Sequence, residues 1–306
     1  MDDGLRQQLG RIVAQPVQWD CPLAAYTSLA VGGPAEALVT VADATELAAV
    51  LALLEGAGVP WHIIGKGTNL LVRDEGVAGA VLLLGEGFGQ MAFSAAGEGR
   101  WLARVGAGCH LARLVAACTE HGLAGMEFAV GIPGTVGGAL VMNAGAWGGD
   151  MARVVRSVTL LGPSKQLTLQ REQLHFGYRC WHDFTTLAGQ AVVIGCEMEL
   201  EKGDVEDIRG RCASYQQQRR ERQPGGQRSA GSFFKNPGND SAGRLIEASG
   251  LKGVAVGGAM VSEKHANFLV NTGGATAADI LALMRLVQET VRRDSGIELE
   301  PEVHVL

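Results

Sequence analysis

The chain lacks the net positive charge of a general nucleic-acid binder. Its 26 Lys and Arg stand against 32 Asp and Glu, a formal charge of −6, whereas gripping a phosphate backbone calls for a basic face. It also lacks any uninterrupted apolar run of about 20 residues, the length that spans a bilayer. Its opening, MDDGLRQQLGRI, has neither the basic start nor the apolar stretch of a secretory leader. The expectation is a cytoplasmic protein without a membrane span. Six cysteines (Cys21, Cys109, Cys118, Cys180, Cys196, Cys212) and seven histidines are scattered, with no CxxC and no Cys/His pairing at zinc spacing. No metal is expected, and most of the cysteines read as small buried hydrophobes. Two nucleotide fingerprints are missing as well. There is no GxxxxGK[ST]. The loops Gly85–Gly89 and Gly106–Gly108 imitate GxGxxG without its full spacing or its downstream acidic residue.

What is present is a globular composition, 47% apolar and 19% charged over 306 residues, with 44 glycines. That length suggests two or three lobes. Ala35–Val41, Trp61–Ile64 and Gly79–Leu84 read as strands. Between the first two, Asp43 opens a helix to about Gly56, with Leu47, Val50, Leu51 and Leu54 at helical spacing. This is the rhythm of an α/β layer. A strand at Trp101–Val105 and a helix from Leu111 to about His121 follow. From Val154 to Leu200 the pattern is β: SVTLL, QLTLQ and AVVIGCEMEL. Residues 203–228 turn polar and arginine-rich, and a lobe boundary is placed near 203. The last third reads as α+β. A short helix over 242–249 ends at Gly250, and strands surround GGAMV and FLV. Thr276 caps a helix to about Arg293 with Ile280, Leu283, Met284, Val287 and Val291 on one face, Gly296 ends it, and a final strand covers IELEPEVHVL.

Several stretches carry chemistry, each with a plainer reading beside it. Residues 131–149, GIPGTVGGALVMNAGAWGG, hold seven glycines in nineteen positions and no charge. So much ordered glycine is entropically costly, which fits a backbone that packs against something flat or adopts strained dihedrals. It is either a buried turn system or a ligand cradle. GKGTNLLVRDEG (65–76) is either a strand-to-turn connection or a loop whose N–H groups face an anion. In FGYRC (176–180), Arg179 is either half-buried and paired or aimed at a substrate carboxylate. Glu300 and Glu302, two apart on the expected strand, share one face. Ser232 in SAGSFFKNPGN (229–239) is either a turn residue or a hydroxyl on a rigid mount.

Taken together, YTSLAVGG (26–33), GKGTNLLVRDEG, the 131–149 segment, FGYR (176–179), SAGSFFKNP (229–237), AGRLIEASGLKG (242–253), GGAMVSEKHANFLVN (257–271) and LEPEV (299–303) occur in one order. That order and spacing closely resemble the UDP-N-acetylenolpyruvoylglucosamine reductase (MurB) family, from about residue 20 onward. The 53 residues from Arg179 to Ser232, without an additional loop, resemble its shorter, type II branch. The resemblance implies an α+β fold: an FAD-binding lobe of the vanillyl-alcohol-oxidase (PCMH) type plus a C-terminal α+β substrate-binding domain. The lobe is expected over 1–202, as a small α/β subdomain at about 20–60 and a larger one at about 61–202. The substrate domain is expected over 203–306, its final strand returning toward the flavin.

The resemblance further implies FAD as cofactor, NADPH as co-substrate and a UDP-sugar substrate, with no nucleic-acid role and no obligate protein partner. Flavin N5 would deliver hydride to the vinyl methylene of the enolpyruvyl ether, giving UDP-N-acetylmuramate for peptidoglycan. Ser232 would donate the proton, Arg179 would hold the carboxylate and Glu302 would assist. Gly65, Lys66, Gly67, Thr68, Asn69, Leu70, Gly131, Ile132, Pro133, Gly134, Thr135, Gly138, Asn143, Ala144 and Gly145 match the flavin-binding positions. Tyr178, Lys235, Asn236 and His265 match the substrate-binding ones, and Arg222 and Arg228 are candidates to cover the nucleotide. Two positions depart from the family pattern: Cys180-Trp181 follows FGYR where a serine commonly stands two positions on, and Trp147 replaces a frequent tyrosine. The competing reading is another PCMH-type flavin oxidoreductase acting on a small alcohol.

Overall fold

The computed structural model describes residues 1–187 and 191–306. Two compact units emerge. The first comprises residues 1–19, 37–65 and 79–218; the second comprises 20–36, 66–78 and 219–306.

One four-stranded sheet runs in the order Gln18–Pro22, Pro34–Val41, Val77–Leu84, Trp61–Ile64. The last two strands are parallel, with Trp61 opposite Ala80 and Ile64 opposite Leu83. The chain that connects them, residues 65–76, holds the short strand Leu70–Leu71 and no helix, and the helix Ala44–Gly56 precedes Trp61. Asp43 caps that helix by accepting the N–H groups of Thr45 (2.8 Å) and Glu46 (3.0 Å). Leu47, Val50, Leu51 and Leu54 are fully buried, packed in one cluster with Ala37, Val39, Ala80 and Leu82, as their 3.6-residue spacing predicts.

The first unit also holds an antiparallel sheet in the order Gln166–Gln170, Val155–Leu161, Val192–Lys202, Arg100–Gly106, Met91–Ala95, with Leu123–Ala124 also pairing with Val192–Lys202. Helices Leu111–Glu120 and Val136–Val141 pack Leu111, Leu114, Cys118, Val136 and Leu140 into a core with Val105, Val158, Trp181 and Met198. The polar helix Val205–Arg222 starts where the lobe boundary is expected, yet the compact units divide after Gln218 rather than at 203. The reason lies in the helix's contacts. Arg211 forks onto the Glu127 carboxylate (3.1 and 2.6 Å), and the Tyr215 ring stacks on Trp147 with centroids 5.0 Å apart. The change of composition at 203 marks a solvated helix face, not a break in packing.

The second unit is a four-stranded antiparallel sheet, Arg228–Ser229, Leu269–Asn271, Ala259–Val261, Ala255–Val256. The helix Ala277–Ser295 packs on it, with Ile280, Leu283, Val287 and Val291 fully buried. Thr276 and Asp279 form a reciprocal capping box, and Gly296 closes the helix at φ +73°. Phe233 and Phe234 enter this same core. The final strand differs from expectation. Residues 297–300 join no ladder, Pro301 makes a single bridge with Phe234, and only His304–Val305 pairs, parallel to Leu70–Leu71. The bonds from Lys235 N to the Glu300 carbonyl and from Glu302 N to the Phe233 carbonyl flank that bridge, and Pro301 has no N–H to offer a strand on its other side.

Candidate active site

The glycines of 131–149 divide by task. A Cβ on Gly145 would sit 2.5 Å from the Gly149 carbonyl oxygen, one on Gly149 2.8 Å from Phe128 Cβ, and one on Gly137 3.0 Å from Ala107 Cβ. These three make close packing possible. Gly131, Gly134 and Gly148 instead adopt φ of +71°, +136° and +79°, which side-chain-bearing residues avoid. Main-chain bonds from Val136 to Cys109 (2.9 Å) and from Gly137 to Ala107 (2.8 Å) staple the loop down. Gly131, Pro133 and Gly138 remain exposed. Thr135 caps the short helix, accepting from Gly138 N at 3.4 Å, and its Oγ1 lies 2.7 Å from where a Gly65 Cβ would be. The structure thus brings Gly65 and Thr135 together, and no larger residue fits at 65 while Thr135 keeps its place.

Along 66–70 the backbone is tightly held. Gly67 (φ +59°) approaches so closely that a Cβ would overlap the Tyr26 carbonyl, and its own carbonyl accepts from Ser28 N at 3.1 Å. Asn69 Nδ2 donates to the Glu302 carbonyl (2.9 Å), and the Asn69 carbonyl accepts from His304 N (3.1 Å). Asn69 therefore clasps the main chain on both sides of Val303, and Leu70 extends the pairing. Lys66 is exposed and Thr68 half-buried.

Arg179 sits at the tip of a tight hairpin in which Phe176 faces Trp181 and Gly177 faces Cys180. It adopts φ +54°, a left-handed conformation that costs a non-glycine residue about 1–2 kcal/mol. Strain of this kind is a marker of functional positions. Tyr178 is 54% exposed, and the Arg179 guanidinium carbon lies 5.1 Å from its ring centroid. The base of the hairpin is rigid, because Trp181 is buried against Phe176 and Phe184 (5.6 and 5.3 Å). Cys180 Sγ lies 3.7 Å from His182 Nδ1. Asn143, expected at the flavin, turns its side chain to the protein: Nδ2 donates to the Gly177 carbonyl at 2.9 Å and Oδ1 accepts from Ala152 N at 2.9 Å.

Ser232, half-buried, precedes the fully buried Phe233. Asn267 holds this segment. Its carbonyl accepts from Phe233 N (2.7 Å), its Oδ1 from Phe234 N (2.9 Å), and its Nδ2 donates to the Phe234 carbonyl (2.8 Å). On the other side, Glu302 N donates to the Phe233 carbonyl (2.9 Å), and Lys235 N to the Glu300 carbonyl (2.8 Å). Ser232 and Glu302 thus lie on neighbouring antiparallel chains, within one residue in register. The Lys235 ammonium pairs with the Glu300 carboxylate, so its charge is directed there.

Asn236 and His265 meet at the first turn of the helix Ala242–Ala248. Asn236 Oδ1 accepts from Ala242 N (3.0 Å), while the His265 ring lies 3.2 Å from a Cβ built on Gly243. His265 Nδ1 accepts from Asn267 N (3.2 Å) and its ring meets Phe268 edge-on. Burial pushes the His265 imidazole below its usual pKa, and because Nδ1 accepts from Asn267 N the neutral ring carries its proton on Nε2. Arg222 and Arg228 are exposed.

Sequence reasoning missed the clamps. Asn143 and Asn267 are 3% exposed and Asn271 is 6% exposed, and Asn271 Nδ2 holds the Leu29 carbonyl at 2.9 Å. The available signal was an amide inside an otherwise apolar motif, since a buried amide demands partners.

Residues 223–306 match the family model described as UDP-N-acetylenolpyruvoylglucosamine reductase, C-terminal domain, and residues 35–166 match an FAD binding domain. The UDP-N-acetylenolpyruvoylglucosamine reductase of Syntrophotalea carbinolica is 45% identical over 302 residues, 99% of this chain and 98% of that one. That of Geobacter metallireducens is 44% identical over 306 residues, 100% and 99% of the two chains. Among solved structures, the UDP-N-acetylenolpyruvylglucosamine reductase (MurB) from Thermus caldophilus superposes with a TM-score of 0.79 at 39% identity, covering 93% of this chain and 97% of its own. An alkyldihydroxyacetonephosphate synthase shares the fold at 15% identity and TM-score 0.50, over 66% of this chain and 41% of its own. The fold is thus α+β, an FAD-binding region of the PCMH type followed by a MurB-type C-terminal domain. Among the described residues no helix is long and apolar enough to cross a membrane.

Proposed function

This chain belongs to the UDP-N-acetylenolpyruvoylglucosamine reductase family, and from that premise we propose that it uses NADPH, through bound FAD, to reduce the enolpyruvyl ether of UDP-N-acetylglucosamine to UDP-N-acetylmuramate. The observation that carries the reading is the double clamp on Phe233 and Phe234, the two residues after Ser232, with Asn267 on one side and the Glu302 main chain on the other. A serine on a main chain held that firmly, paired with the segment that carries Glu302, suits proton delivery to one defined carbon.

The residues fit FAD. Between Gly131 and Gly149 no side chain is charged, Gly131, Gly134 and Gly148 take positive φ without a side chain of their own, and Gly131, Pro133 and Gly138 are exposed. Such a loop holds a large cofactor by main-chain groups and flat apolar contact, without a Rossmann fingerprint. Gly65–Thr68, Gly131–Thr135, Gly138 and Ala144 would hold it, while Asn69, Leu70, Asn143 and Gly145 shape the loops from behind. When bound, FAD supplies the hydride.

Reduction at the vinyl methylene places negative charge on the adjacent carbon and its carboxylate, which needs fixed counter-charge in a dry site. Arg179, held in its left-handed turn, would grip the carboxylate with its planar fork. Ser232 would then protonate the carbon. Glu302 would share or donate a proton, so that its own charge does not oppose the enolate. Tyr178, Lys235, Asn236 and His265 would bind the UDP-sugar, with Arg222 and Arg228 over the nucleotide. The work belongs to the cytoplasm, where nucleotide sugars and NADPH are made.

The test is anaerobic. NADPH should bleach the visible absorption of the holoenzyme, and the enolpyruvyl ether should restore it with formation of UDP-N-acetylmuramate. Ser232→Ala should leave the bleaching intact and slow reoxidation by several orders of magnitude. Bleaching without reoxidation in the wild type would refute the substrate and favour a small-alcohol oxidoreductase. Turnover of Ser232→Ala within about tenfold, ~1.4 kcal/mol, would refute the proton-donor role.

A further inference from the structure

Asn143 belongs by sequence to the glycine-rich cofactor loop, but its side chain faces away from that task. It is 3% exposed and held at φ +40°, a conformation asparagine tolerates better than most residues. Its two ends have unambiguous partners. The Gly177 carbonyl can only accept, so Nδ2 faces it at 2.9 Å; the Ala152 N–H can only donate, so Oδ1 faces it at 2.9 Å. A second, longer approach of Nδ2 to Asp150 Oδ2 (3.5 Å) comes from the same side. Gly177 is the last strand residue before the Tyr178–Arg179 tip. A Cβ there would fall 2.3 Å from Nε2 of the exposed His182 ring, which would have to swing aside to admit one. The hairpin is therefore pinned at one carbonyl, two residues from an arginine in a strained backbone state.

We infer that Asn143 is a positioning residue: it fixes the hairpin that presents Arg179, tying the arginine's place to the loop Gly131–Gly145. The inference rests on the role proposed above for Arg179 in gripping the substrate carboxylate. The physical logic is that two bases alone do not hold a strained tip. The two-residue turn at 178–179 is anchored through Trp181 on one strand and through the Gly177 carbonyl on the other. Without the amide, the Gly177 carbonyl loses its buried donor and the tip relaxes out of its left-handed state.

Two variants test this in the holoenzyme. Asn143→Gly keeps the positive φ and deletes the amide; Asn143→Asp keeps the acceptor for Ala152 N but sets an oxygen against the Gly177 carbonyl. Both are expected to keep flavin content and NADPH-driven bleaching within twofold of wild type. Both should raise the KM for the enolpyruvyl ether or slow its reoxidation at least tenfold. In an Arg179→Ala background, the same Asn143→Gly change should alter reoxidation by less than twofold, because its effect passes through the arginine. Amide hydrogen exchange at residues 176–181 should rise in both variants, a readout that needs no substrate. Unchanged exchange overturns the inference, as does an undiminished penalty in the Arg179→Ala background. Loss of flavin in both variants also overturns it, since Asn143 would then serve the cofactor loop. If the wild-type holoenzyme fails to reoxidise with the ether, the proposed reaction falls, while the exchange measurement still decides the clamp.

Discussion

Replacing Asn267 by alanine separates the mount of Ser232 from its chemistry. The change deletes both amide bonds to the Phe234 main chain, at 2.9 and 2.8 Å, where Phe234 is 1% exposed. A buried N–H and a buried C=O then lose their partners. Each costs roughly 1–3 kcal/mol, so about 2–6 kcal/mol is expected in total, at the lower end if a water enters the gap. Against a typical stability of about 5–15 kcal/mol this is a large fraction. Asn267→Asp should be nearly as damaging, because its carboxylate still accepts from Phe234 N but opposes the Phe234 carbonyl. The functional effect follows from geometry. Ser232 stands two residues from the released bonds, and a misplacement of about 1 Å costs a reacting group roughly 10²-fold. Urea unfolding gives the stability term, and anaerobic stopped-flow reoxidation gives the catalytic one, with flavin content as the control. A destabilisation below about 1 kcal/mol combined with reoxidation within twofold of wild type would refute the reasoning.

Glycine substitutions discriminate between packing and ligand roles. Gly138→Ala has a helical backbone and only Thr135 Oγ1 at 3.6 Å, so the protein should fold as well as wild type or better. FAD affinity, read by fluorescence titration, should nonetheless fall, and unchanged affinity would remove Gly138 from the cofactor site. Gly67→Ala combines a left-handed φ with a backbone clash at Tyr26 and should give insoluble or flavin-free protein. Gly148→Ala, at φ +79° but in open space, should cost only about 1 kcal/mol in a thermal melt. Acidification should destabilise the protein through its histidines. Burial holds His62 and His265 below the 6.5 of free imidazole, so the unfolded chain takes up protons first. The resulting stability is complete above about pH 6.5 and is lost as pH falls toward the folded values. His265→Gln should flatten the dependence of Tm on pH between about 7 and 5; an unaltered slope would show that His265 does not contribute.

Much of the site was legible along the chain because main-chain chemistry is written locally. Glycine density at 131–149 marked a loop of unusual dihedrals. SAGSFFKNPGN marked a turn, and the two phenylalanines in it enter the core of the second unit. Helices and strands followed their periodicities, from Leu47–Leu54 to Ile280–Val291. Expectation and structure part where the partner is remote. The C-terminal segment makes one bridge and a two-residue strand, and an arginine-rich helix packed with residues 1–218 through Glu127 and Trp147 instead of starting a new unit. Lys235, near Ser232 in sequence, turned to Glu300.

The residue types able to do the chemistry, and the order in which they come, were determined by sequence alone: Arg179, Ser232, Glu302 and the glycines around them. Only the tertiary structure decided what holds them. Asn69 grips Glu302 across 233 residues, Asn143 grips Gly177 across 34, and Asn267 grips Phe234 across 33. A buried amide must find both a donor and an acceptor, but nothing in its own stretch of chain says where they are. Three asparagines that look alike in sequence therefore became three clamps only once the fold had placed a carbonyl in front of each.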